Sequence, residues 1–104
     1  MPSSKEYLLF VIEQLSYLSD ITYRLMMSEY ILYYKGKIFG GIYDDRFLVK
    51  ETKASLEMIK NPIFEVPYTG AKEMILIEEI ENKDFLKELI ERMYDELPLV
   101  KKRR

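Results

Sequence analysis

The sequence predicts an α+β fold of two layers, an antiparallel sheet with helices packed on one face. Two observations carry that prediction. The stretch from Tyr30 to Lys50 reads as three short strands joined by two tight turns, at Lys35-Gly36 and Asp44-Asp45. The chain also opens and closes with segments whose apolar residues recur at helical spacing. The expected order is helix, three strands, helix, two strands, helix, within one domain over residues 1–98 and a basic tail over 99–104.

Ser3 and Glu6 form a capping-box pattern, after which Leu8, Val11, Ile12, Leu15 and Leu18 make one apolar stripe. The helix is expected to end near Leu18, because Ser19-Asp20 is a turn signal. Ile21 to Met27 is apolar and leads into or joins the first strand, with a bulge or bend at Ser28-Glu29. Tyr30 to Tyr34, Lys37 to Tyr43 and Arg46 to Lys50 then form a meander. Thr52 can cap a short helix that Asn61-Pro62 stops. Ile63 to Tyr68 and Glu73 to Ile80 read as extended pieces around a Thr69-Gly70 turn. Asn82 caps the last helix, whose stripe is Phe85, Leu86, Leu89, Ile90, Met93 and Leu97, and Pro98 ends it.

Composition excludes several kinds of chemistry. The chain has 104 residues, 48% of them hydrophobic, enough to bury a core without metal or disulfide support. It has no cysteine, so thiolate chemistry is excluded. It has no histidine, which removes the commonest general base and metal ligand. Ser16, Ser19, Ser28 and Ser55 therefore lack a histidine to activate them, and none lies in a nucleophile-elbow motif. A net charge of -2 gives no global attraction to nucleic acid or anionic lipid. No stretch approaches the roughly 20 apolar residues of a membrane span, and the N-terminus is not a secretory signal. A cytoplasmic location is the expectation.

Each remaining signal has a structural and a functional reading. Asp44-Asp45 and Glu78-Glu79 resemble cation ligands, but adjacent strand residues point to opposite faces. Turn chemistry explains the first pair more simply. Gly40-Gly41 lies inside a strand and precedes no helix, so backbone accommodation is favoured over a phosphate loop. The nine tyrosines stand out. Alternation puts Tyr30, Leu32 and Tyr34 on one side of a strand with Ile31 and Tyr33 on the other. In the next strand Phe39 and Tyr43 are expected to oppose Ile38 and Ile42. Both faces are thus apolar, and helices cover only one; the other is a candidate contact surface.

The stretch RLMMSEYILYYKGKIFGGIYDDRFLVK, Arg24 to Lys50, resembles the signature of the TfoX/Sxy N-terminal domain. That family shows an arginine, a Met-Phe-Gly-Gly stretch, Tyr-Gly-Leu-Tyr, a glycine turn, a phenylalanine and a strand ending near lysine. Arg24, Met26, Tyr30, Leu32, Tyr33, Gly36, Phe39 and Lys50 match it. Met27, Ser28, Glu29 and Ile31 depart from it, standing where that pattern has phenylalanine and three glycines. The resemblance implies a fold like that of type III secretion chaperones and a part in transcription linked to natural competence.

The expected function is therefore a non-enzymatic, cytoplasmic protein-interaction domain without cofactor or metal, its partner in the transcription machinery or a second copy of itself. The candidate interaction surface comprises Arg24, Tyr30, Tyr33, Tyr34 and Tyr43. The alternative is direct nucleic-acid binding by the tail Lys101, Lys102, Arg103 and Arg104 with Tyr33 and Tyr43 as stacking platforms. A third reading, a small enzyme, would need Glu29, Asp44 and Glu78 to converge in a pocket.

Overall fold

A computed structural model of the chain describes residues 3–99. Helix α1 (Lys5–Gln14) is followed by four strands, β1 (Ile21–Met26), β2 (Glu29–Tyr34), β3 (Lys37–Tyr43) and β4 (Arg46–Val49). Helix α2 (Lys53–Met58), strands β5 (Phe64–Glu65) and β6 (Met74–Leu76) and helix α3 (Lys83–Met93) complete the fold, with a 3₁₀ turn at Tyr94–Glu96. The six strands make one antiparallel sheet in the order β1-β2-β3-β4-β6-β5. Leu8 and Val11 of α1, Ala54 of α2 and Leu86, Leu89, Ile90 and Met93 of α3 share one core with Leu32, Phe39, Ile42, Phe47, Val49 and Ile75 of the sheet. The helices thus cover one face, giving the two-layer α+β architecture.

The meander has four strands where three were expected. Ile21 to Met26 pairs along its whole length with Glu29 to Tyr34. Two-residue loops join all four strands, and every loop residue has positive φ: Met27 and Ser28 at 53° and 71°, Lys35 and Gly36 at 49° and 83°, Asp44 and Asp45 at 53° and 55°. Two successive positive φ values define the type I′ turn, whose twist matches that of the flanking strands. Gly and Asp signal the second and third turns. Met27 and Ser28 carry no such signal, so the expected bend at Ser28-Glu29 is a full reversal one residue earlier.

A bulge then changes the parity of β3. Leu32 pairs with Gly40 while Tyr33 pairs with Ile38, leaving Phe39 as an extra residue. Phe39 and Ile42, three apart, therefore both enter the helix-covered core, and Tyr43 turns to the outer face with Leu48 and Met74. Strict alternation had grouped Phe39 with Tyr43 instead. Gly40 permits the close approach of β4 at this point. A Cβ there would lie 2.2 Å from Leu48 O and 3.0 Å from Val49 Cα, both backbone atoms.

Helix ends follow side-chain capping. Ser4, not Ser3, caps α1 by accepting the Tyr7 N–H at 3.1 Å. Ser3 is drawn into a tertiary contact: its hydroxyl donates to Glu29 Oε1 at 2.6 Å and accepts the Asp45 N–H at 3.1 Å. The helix stops at Gln14, four residues earlier than expected, yet Leu15 and Leu18 stay buried in the following turns. Thr52 and Ser55 form a reciprocal capping box on α2, and Asn82 Oδ1 accepts the Phe85 N–H of α3 at 3.0 Å. The extended pieces after α2 are shorter than read from sequence: only Phe64–Glu65 and Met74–Leu76 pair as strands. Among the described residues no helix is long and apolar enough to cross a membrane.

Candidate interaction surface

An open sheet has two edges, and here they differ. β5 is two residues long and lies between Pro62 and Pro67. A short edge flanked by residues that cannot donate a backbone hydrogen bond resists pairing with another chain. β1, at the other edge, is six residues long and contains neither proline nor lysine. Five of its six residues are exposed.

The register of the hairpin assigns the backbone groups of β1. In a two-residue hairpin the closing pair, here Met26 and Glu29, is hydrogen-bonded, and bonded pairs recur every second residue. Met26, Arg24 and Thr22 therefore spend their N–H and C=O on β2. Those of Ile21, Tyr23 and Leu25 point away from the sheet. The side chains of the same three residues stand beside Tyr34, Leu32 and Tyr30 on the helix side. The helices stop short of this edge: Tyr23 is 41% exposed and Leu25 61%. Tyr23 meets Tyr30 edge-on, with ring centroids 5.9 Å apart. Met27, at the hairpin tip, is 92% exposed in a left-handed backbone conformation that suits Asn or Gly. A large apolar residue at so unfavourable a position has no packing role within the fold.

The outer face of the sheet is less open. Gly41 lets the Tyr43 ring fold down against the strands: a Cβ at Gly41 would lie 2.7 Å from Tyr43 Cε2. Tyr68 leans over that ring, with centroids 6.2 Å apart. Burial, then Tyr68 and Glu29 nearby, pushes the Tyr43 phenol up to about 12. Lys50 borders the same open groove with Ile38 and Met74, and burial lowers its pKa.

The five tyrosine and arginine positions named from sequence do not share one surface. Arg24 is exposed on the outer side of β1, and Tyr33 is half-buried. Tyr30 and Tyr34 are buried at 8% and 5% exposure in the helix-covered core, where Tyr34 packs edge-on against Tyr94. Tyr43 is buried at 6% under Tyr68. Burial in the helix-covered core and under Tyr68 thus withdraws three of the five, and Tyr43 is no open stacking platform. The tail Lys101 to Arg104 lies outside the described residues. Tyr23, Leu25 and Met27 were missed. The signal that would have found them is the reading of Ile21 to Met27 as a strand with its own tip.

The carboxylates do not converge either. Glu29 Oε1 accepts from the Ser3 hydroxyl and from the Asp44 N–H at 3.1 Å, and Asp45 Oδ1 accepts the Ser4 N–H at 2.8 Å. These bonds tie the start of α1 to the β3–β4 turn. Glu78 lies elsewhere, in the cleft beside the start of α3. Among the described residues no group of three or more carboxylates gathers to hold a metal ion.

The chain is 32% identical over 80 residues to a Spirochaeta aurantia protein described as the uncharacterized 12.7 kDa protein in the trpE 5′ region. The match covers 77% of this chain and 70% of that protein. The chain belongs to that protein's family. No family model matches the chain, and no solved structure does.

Proposed function

We propose that this chain is a non-enzymatic, cytoplasmic protein-interaction domain of the TfoX/Sxy N-terminal type, acting in transcriptional control by pairing a partner's strand along β1. The observation that supports the reading is the unblunted edge. Ile21, Tyr23 and Leu25 offer outward backbone groups, and exposed Leu25, Met26 and Met27 flank them with apolar surface. A backbone edge of this kind selects an extended protein segment, because only another strand supplies matching donors and acceptors.

Photo-crosslinking in the native cell tests this. A benzophenone amino acid replaces Met27 at the tip or, as a control, Leu56, which is 46% exposed on α2. The expected result is a nuclease-resistant protein adduct from position 27 that is absent from position 56. Equal labelling at both positions, or adducts that nuclease removes, would overturn the reading.

A further inference from the structure

We infer that β1 pairs with β1 of a second copy of this chain, in antiparallel register centred on Tyr23, to form a twofold dimer with one continuous twelve-stranded sheet. The inference rests on the strand-docking reading above and commits it to a single occupant. Several features of the edge lead to it.

The first is backbone geometry. Centring the twofold axis on Tyr23 sets Tyr23 opposite Tyr23 of the second copy and Ile21 opposite Leu25 of it. These are the three residues whose N–H and C=O point outward, so three bonded pairs form and six hydrogen bonds close. Antiparallel pairing also keeps both helix layers on the same side. The apolar side chains of Ile21, Tyr23 and Leu25 from the two copies then form one row beside the core.

The second is charge. Arg24 and Asp20 are both exposed, and neither side chain has a hydrogen bond or ion pair among the described residues. In the Tyr23-centred register Arg24 stands opposite Thr22 of the other copy, and Asp20 lies on the adjoining diagonal, within reach of a long side chain. The pairing repeats twice by symmetry. An axis through Arg24 would set the two arginines against each other, which is destabilising. An axis through Leu25 would leave Asp20 without its partner and shorten the bonded run.

The third is size. A contact made by one strand and its tip lies below roughly 1,200 Å² in total, the small end of specific interfaces. The dimer therefore dissociates on dilution.

The chain has no cysteine, so single thiols report the register directly. Residues facing each other in a bonded antiparallel pair have Cα atoms about 5.5 Å apart, within disulfide range. Under mild oxidation Tyr23→Cys is expected to give a covalent dimer. Thr22→Cys, one position off the axis and diagonal to its counterpart at about 7–8 Å, is expected to crosslink less readily. Leu25→Cys is not expected to crosslink, because two positions off the axis puts its counterpart four residues along the strand, several ångströms beyond that range. Sedimentation of the unmodified chain is expected to show a concentration-dependent monomer–dimer equilibrium. Leu25→Lys, on an exposed position that leaves the monomer folded, is expected to weaken it about tenfold or more. A chain that stays monomeric up to about 1 mM, or a Tyr23→Cys variant that crosslinks no faster than Leu25→Cys, overturns the inference. If that monomer still yields a protein adduct from position 27, strand docking stands and self-pairing alone falls.

Discussion

The turn at Met27-Ser28 makes a quantitative test, because the structure says it is held against local preference. Both residues adopt left-handed φ, 53° and 71°. For an ordinary L-residue that conformation costs about 1–2 kcal/mol relative to the right-handed region, and Asn and Gly escape most of it. The double variant Met27→Asn, Ser28→Gly therefore relieves about 2 kcal/mol of local strain. Glycine's extra freedom in the unfolded chain offsets roughly 0.5–1 kcal/mol of this. Little else changes: Met27 is 92% exposed, so removing it costs almost no burial. Ser28 contributes a backbone carbonyl to the Ser3 N–H at 3.2 Å, which glycine keeps. The net gain is about 1–1.5 kcal/mol, a rise in Tm of roughly 4–10 °C for a domain of this size. Thermal unfolding followed by circular dichroism, at a dilution where the chain is monomeric, measures it. Urea unfolding should show a higher midpoint at unchanged slope. An unchanged or lower Tm would show that Met27 earns its place through contacts inside the fold, which would remove the reason to assign it to a partner.

Three further outcomes follow from the packing. Gly40→Ala places a methyl group 2.2 Å from Leu48 O with only backbone around it, so a loss of about 3 kcal/mol or more is expected in urea unfolding. Ser55 Oγ is fully buried, donating to Lys50 O at 3.0 Å and accepting the Thr52 N–H at 2.8 Å. Ser55→Ala strips both partners and should cost about 2 kcal/mol, read from the same assay. Tyr43 predicts an alkaline effect: its phenol is raised in the folded state from an ordinary 10.0 to about 12. The resulting stability is complete below pH 10 and is lost as pH climbs toward 12, since the unfolded chain gives up that proton first. Tyr43→Phe should make the fall in stability over that window shallower, and phenolate absorbance should show Tyr43 among the last tyrosines to titrate.

The sequence by itself determined the elements whose causes are local. The α3 stripe from Phe85 to Met93, the Thr52 and Asn82 caps and the turns at Lys35-Gly36 and Asp44-Asp45 depend on spacing and on residue chemistry within a few positions, and the fold keeps them. The helix ends at Met93, and Leu97, expected on the same helix, is buried beyond the 3₁₀ turn. The absence of histidine and cysteine is equally a property of the chain alone. Only the tertiary structure decided the reversal at Met27-Ser28, where pairing of β1 with β2 over six residues overrides two residues that do not favour a turn. It also decided the Phe39 bulge, which shifts side-chain parity by one and moves Tyr43 to the opposite face from Phe39. The location of the candidate contact surface belongs to the same class. Whether a tyrosine is buried or exposed depends on which face the helices cover and on which strand is left at the edge, and both are set by contacts between residues distant in the chain.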